Sequence, residues 1–303
     1  MGSAARTRAR AAGSDRQKLA ARRNLAVRRA ADRKAEVRRR LLLAGGSVAV
    51  VIVLVGALIV VKLSQSPPHS APPADAATIA QVQQQVTSVP LATFNAVGAG
   101  TATGLNALSG QPALVSGGKP ELLYMGGQYC PFCAAERWVL AATVSRFGTL
   151  SGLSLIHSSP TDTYPNTPTL SFDKATYTSK YLAFTPVEWY GEAADPSTPF
   201  GHVYLQQPTA QQQALFAKYA GRSIPFVDIG NRYVLPEVQY LPTALAGLTW
   251  TQIAAAMHDP SSPIAKAIDG AANILTAAIC TLTNGQPGAV CHSSGVQAAT
   301  GSG

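Results

Sequence analysis

The chain has 303 residues, room for one large domain or two small ones, and a formal charge of +9 that is unevenly spread. Residues 1–40 hold fourteen Lys or Arg against Asp15, Asp32 and Glu36, whereas the other 263 residues hold ten against twelve. The high pI belongs to a tail, and a nucleic-acid-binding surface on the main body loses its support.

Residues 1–40 are rich in Ala and Arg. They read as a topology signal or as a surface drawn to anionic lipid on a cytoplasmic face, and a specific partner for the tail stays open. Leu41 to Val61 is a run of 21 uncharged residues, about 31 Å long as a helix and matched to the hydrocarbon core. It predicts a transmembrane helix. A cleaved signal peptide ending at Ala74-Asp75-Ala76 is the competing reading, but the basic segment and the apolar run are both long for one. Dense arginine before the span, against the lone Lys62 after it, puts the N-terminus in the cytoplasm and the main domain outside. Residues 62–75, with four prolines between Ser64 and Pro73, predict a stiff linker.

The main domain is expected over residues 76–292. Ile79, Val82 and Val86 lie on one face of a short helix stopped by Pro90, and Leu91, Phe94 and Val97 continue the apolar face. Residues 98–118 are turn-rich, with one strand near Ala113 to Val115. Leu122 to Met125 then predicts a buried strand, followed by Gly126-Gly127-Gln128-Tyr129-Cys130-Pro131-Phe132-Cys133 and a helix running through Val139, Val144 and Phe147 to Gly148. A Cys-x-x-Cys pair thus sits where a strand hands over to a helix. The free N–H groups and partial positive charge of the first turn stabilise a thiolate, so Cys130 is the expected nucleophile and Cys133 the resolving thiol. Zinc and an inert staple are the alternatives. Zinc needs further ligands at short spacing, and Cys280 and Cys291 have ten residues between them.

Leu153 to His157 predicts a second strand, parallel to the first through a right-handed crossover. His157 reads as a strand-end residue, with a redox role as the alternative. Residues 158–207 change character, with many Tyr, Phe and Trp among prolines and threonines. They form either an aromatic surface for partner polypeptides or a cap with its own core. A helix over Pro208 to Ala220 follows, and then a hairpin through Phe226 to Val234. Pro225 at a strand entrance is either an ordinary trans proline or a cis Ile224-Pro225 bond that leaves the Ile224 backbone free for an extended substrate. Thr249 to Gln252 has capping-box form, and Ser262-Pro263 opens a long helix with Ile264, Ile268, Ile274, Leu275, Ile279 and Leu282 inward. A Cys280–Cys291 disulfide would pin that helix, at about 3 kcal/mol in the chain-entropy picture; a second redox pair is the alternative. Residues 293–303 read as a disordered tail.

Tyr129 to Cys133 together with Ser223-Ile224-Pro225 resembles the thioredoxin superfamily, in which a cis-proline loop faces the Cys-x-x-Cys across the active site. That resemblance implies that Pro225 is the cis-proline, Ile224 the residue on the substrate backbone and Cys130 the attacking thiol. Gly118 to Tyr124, Cys130 to Trp138, Tyr177 to Tyr181 and Ala277 to Cys280 are similar to an uncharacterised family of membrane-anchored thioredoxin-like proteins, a domain of unknown function. Two departures from thioredoxin stand out. Tyr124 occupies the position of a buried acid, leaving Glu136 or Glu121 as candidate proton carriers or as plain surface carboxylates. The 92 residues from Cys133 to Pro225 imply an insertion.

The expectation is an α/β, thioredoxin-like domain with an aromatic-rich insertion at about 158–207, preceded by a single transmembrane helix. Its expected activity is extracytoplasmic thiol-disulfide exchange with protein thiols or disulfides through Cys130 and Cys133, with Tyr129, Ile224 and Pro225 binding substrate and Cys280 with Cys291 as a structural disulfide. No cofactor, metal or nucleic acid is expected; the lipid bilayer and an unidentified redox partner are. A redox-inactive binding or assembly module on the same fold is the alternative.

Overall fold

A computed structural model describes residues 73–235 and 238–300. The basic tail, the apolar run Leu41 to Val61 and most of the proline-rich linker lie outside the described residues.

Two short helices open the domain. α1 (Ala76–Thr87) begins where the Asp75 carboxylate accepts the Thr78 amide at 2.7 Å, and it buries Val82 and Val86. α2 (Leu91–Val97) starts after Pro90 and ends at Gly98, whose φ of 60° suits glycine. Three strands follow: β1 (Asn106–Ala107), β2 (Val115–Ser116) and β3 (Lys119–Gly127). α3 (Pro131–Ser145) leads into β4 (Gly148–Ser151), β5 (Ser154–His157), β6 (Pro168–Ser171) and β7 (Thr176–Ser179). Next come β8 (Ala183–Ala194), β9 (His202–Tyr204), α4 (Ala210–Tyr219), β10 (Phe226–Ile229) and β11 (Tyr233–Leu235). The chain closes with a 3-10 turn at Pro242–Leu245 and helices α5 (Trp250–Ala256), α6 (Pro263–Leu282), α7 (Gly288–Cys291) and α8 (Ser294–Ala299).

The main sheet is mixed, with strand order β1-β11-β10-β3-β8-β9 and β2 paired to β3. β3 is its centre, parallel to β8 and antiparallel to β10. Side chains alternate across a strand, and both faces of β3 are covered. Leu122 and Tyr124 face one core with Trp138 and Leu140 of α3 and with Ile268 and Leu275 of α6. Leu123 and Met125 face a smaller one with Val187, Phe226 and Phe216 of α4. The fold is therefore helices on both faces of a mixed sheet.

Three expectations are corrected. β5 pairs antiparallel with β6 in a separate two-stranded ladder, and the parallel partner of β3 is β8. β8 lies inside the stretch expected as an insertion, so the aromatics there serve largely as core: Phe172 and Tyr190 are buried, and Phe172 packs edge-on to Tyr124 at 5.8 Å. The disordered tail expected from residue 293 is, up to Ala299, helix α8, which buries Val296 and Ala299 in the main core. Its small, polar composition hides an apolar stripe two residues wide.

Among the described residues one helix, α6, is long and apolar enough to cross a membrane, but 78% of its apolar window is buried inside the domain. It is the central core helix. Ser262 Oγ caps it by accepting the Ile264 amide at 3.1 Å, and Pro263 takes the first helical position.

Candidate functional site

The turn between β3 and α3 is built on two glycines with no room for a side chain. A Cβ on Gly126 would strike the Tyr124 hydroxyl; one on Gly127 would lie 2.7 Å from Tyr129 Cε1 and 3.3 Å from Ile224 Cδ1. Cys130 then takes the N-cap position of α3 with extended backbone, and its Sγ accepts the Cys133 amide at 3.3 Å. The sulfur lies against the positive end of a 15-residue helix.

Both thiols are free; Cys130 is 5% exposed and Cys133 fully buried. Burial pushes the Cys130 thiol up, but hydrogen bonds from the Cys133 thiol and amide, the Arg137 charge and the Phe132 amide outweigh it, so its pKa is lowered. Cys133 goes the other way, well above the ordinary thiol range, through burial and then through its hydrogen bond to Cys130 and the charge there. The two thiols are thus unequal: one inclined to ionise, one holding its proton.

Ile224 faces this pair. The Cys130 thiol donates to the Ile224 carbonyl at 3.8 Å, and the Ile224-Pro225 peptide is cis. Tyr129 stacks flat on His202, with ring centroids 3.7 Å apart and 4° between planes, and its carbonyl accepts the Ser159 amide at 2.7 Å. On the other side of Cys130, Phe132 meets Tyr164 edge-on at 5.5 Å. A groove of about 510 Å³, lined among others by His157, Ser159, Asn166, Glu192 and Trp250, opens next to this turn.

Sequence reasoning missed an ion pair beside the dithiol. Arg137 Nε and Nη2 donate to the two oxygens of Glu188 at 2.9 and 2.7 Å, and Nη2 also donates to the Gly127 carbonyl at 2.7 Å. Both side chains are fully buried. The only local signal was Arg137 standing four residues after Cys133, on the same helix face; Glu188 is 51 residues further on. His202, stacked on Tyr129, was missed for the same reason of distance in sequence, and Tyr164, which meets Phe132, was read only as one of the aromatics of residues 158–207.

Tyr129, Cys130, Cys133, Ile224 and Pro225 gather at one end of the sheet. Cys280 and Cys291 are joined by a disulfide with 5.6 Å between their Cα atoms. That pair belongs to the opposite end, because Leu282 packs at Gly230, beyond the end of β10 remote from Pro225. Glu136 is no surface carboxylate but is fully buried, and Glu121 sits at the far end of β3. His157 lies against Trp250, ring centroids 4.3 Å apart, with its pKa lowered by burial. Among the described residues no three His, Cys, Asp or Glu side chains are grouped so as to hold a metal.

Residues 108–281, more than half of the chain, match the family model described as Domain of unknown function (DUF929). No curated protein and no solved structure matches. The matched stretch contains the central strand, both thiols, the ion pair and the Ile224-Pro225 loop: the chain belongs to the DUF929 family.

Proposed function

We propose that the chain is a membrane-anchored, thioredoxin-like thiol-disulfide oxidoreductase that exchanges disulfides with other proteins outside the cytoplasm. The observation that carries this reading is the Cys130 sulfur. It caps α3, lies 3.8 Å from the Ile224 carbonyl and fronts a second thiol that is wholly buried. A dithiol facing an Ile-cis-Pro loop is what the resemblance to thioredoxins implies, and it supports the fold reading as well. The apolar run Leu41 to Val61 and the arginines before it support the anchor and the orientation.

The chemistry follows from the inequality of the thiols. Cys130 thiolate attacks one sulfur of a substrate disulfide; a Cys130–substrate bond forms, the substrate bond breaks, and the released thiolate takes a proton from water. Cys130 no longer carries charge or hydrogen, which removes two of the causes holding Cys133 protonated. Cys133 then ionises and attacks the Cys130 sulfur, closing the Cys130–Cys133 disulfide and releasing the second substrate thiol. Two electrons pass to the substrate, and the same steps in reverse oxidise a substrate dithiol. Tyr129 and Ile224 border Cys130 and orient the incoming segment, with Pro225 shaping the loop. A separate redox partner resets the pair.

A second reading draws on the 5% exposure of Cys130: a binding or assembly module whose thiols never meet a substrate. Full-length Cys133→Ala separates the two. An exchange enzyme accumulates mixed disulfides through Cys130 that dissolve in dithiothreitol; a binding module holds partners that ignore the reductant.

A further inference from the structure

The Arg137–Glu188 pair is poorly explained as a stabilising device. A buried ion pair seldom adds net stability, because desolvating two charges offsets their attraction. This one is also incompletely satisfied: among the described residues the buried Arg137 Nη1 has no hydrogen-bond partner. Its location is the informative feature. Arg137 follows Cys133 by one helical turn, and side chains four apart on a helix lie one above the other and lean toward the N-terminus. Its Nη2 reaches the Gly127 carbonyl, which also accepts the Cys130 amide at 3.2 Å. The guanidinium is therefore tied to the residue that anchors the start of the dithiol turn. On the other side, Glu188 is locked in place, since its Oε1 also accepts the Phe172 amide at 2.9 Å.

Resting on the exchange reading above, we propose that this pair sets the redox potential of the dithiol. Arg137 is a positioning residue whose fixed charge favours the reduced, thiolate-bearing state over the neutral disulfide. Glu188 limits how much of that charge the sulfurs receive. Water cannot screen either group, as both are fully buried. The Arg137 charge acts on both thiols. Facing the same space are Tyr124 from β3, whose ring centroid lies 5.8 Å from the guanidinium carbon, Tyr129 from the turn, and Glu188 and Glu192 from β8. A cation that stabilises the thiolate makes the disulfide easier to reduce, so the pair becomes more oxidising.

The two partners of one ion pair then have opposite effects, which a purely structural role does not produce. In full-length protein in detergent micelles, the midpoint of the Cys130–Cys133 couple is read across glutathione ratios, together with the pH profile of Cys130 alkylation by iodoacetamide. Arg137→Met is expected to shift the equilibrium about tenfold, or about 30 mV for a two-electron couple, toward the disulfide, and to move the alkylation profile to higher pH. Glu188→Gln, nearly the same shape, is expected to shift both the other way. Midpoints that stay put or move in the same direction, in a wild-type pair that titrates, overturn this inference alone. A wild-type pair that never opens sinks the exchange reading and this inference with it. Should Arg137→Met fail to fold, Glu188→Gln decides: a more oxidising midpoint and a lower-pH profile support the proposal, and any other result overturns it.

Discussion

Cys130, at the N-cap of α3, and Glu136, within it, stand six residues apart, and burial treats them differently because of what each touches. Cys130 has an amide, a thiol and a nearby guanidinium to hold its negative charge. For Glu136, burial outweighs what the Gln239 backbone offers its carboxylate and pushes its pKa up to about 8. In the folded protein Glu136 therefore keeps its proton at pH values where an unfolded chain has lost it. The contribution to stability is complete below the ordinary carboxylate pKa and is lost as pH rises through about 8. Each tenfold weakening of an acid corresponds to roughly 1.4 kcal/mol, so the whole effect is on the order of several kcal/mol. Glu136→Gln is expected to raise the melting temperature at pH 8.5, leave it nearly unchanged at pH 5, and flatten the profile between. Asp269, pushed by burial up to about 8, and Asp228, up to about 6, keep part of the slope in the variant. Equal slopes in wild type and variant would show that Glu136 is not a source of the pH dependence.

Elements were legible in the sequence where their cause is local. The α3 start, the hairpin of β10 and β11, and the capping box of α5, in which Thr249 Oγ1 accepts the Gln252 amide at 3.2 Å, are each written within a dozen residues. The partner of β3 was not legible. Ser154 to His157 and Ala183 to Ala194 both form strands after α3, and which one pairs with β3 depends on packing across the sheet. Close helix approach is another feature that only the fold reveals. Gly270, in the middle of α6, is where the chain at Ala99 and Gly100 crosses the helix: a Cβ there would lie 2.9 Å from Gly100 Cα, against backbone that cannot yield. In an open helix, alanine at such a position would stabilise by roughly 1 kcal/mol over glycine. Here Gly270→Ala is expected to destabilise by about 1–3 kcal/mol, seen as a lowered thermal midpoint. A raised midpoint would show that the crossing is loose.

At the scale of the whole molecule, the division of charge and apolarity along the chain matters more than its totals. Fourteen of the 24 basic residues precede the apolar run, the main body is nearly neutral, and the dithiol belongs to that body. The sheet carries the dithiol at one end and, near the other, the Cys280–Cys291 disulfide that ties α6 to α7. On the exchange reading the two cysteine pairs have separate tasks, one exchanging and one holding α6. The ion pair linking α3 to β8 joins the centre of the sheet to the dithiol, and its pairing was not legible in the sequence because its halves lie on different elements, 51 residues apart. The most direct test of the exchange reading is a redox titration of the full-length protein, with free thiols counted by alkylation and mass across glutathione ratios. Cys130 and Cys133 are expected to open and close together in one two-electron transition within the glutathione range, while Cys280 and Cys291 stay joined throughout. A Cys130–Cys133 disulfide that remains closed until strongly reducing conditions, at or beyond the opening of Cys280–Cys291, would contradict that reading.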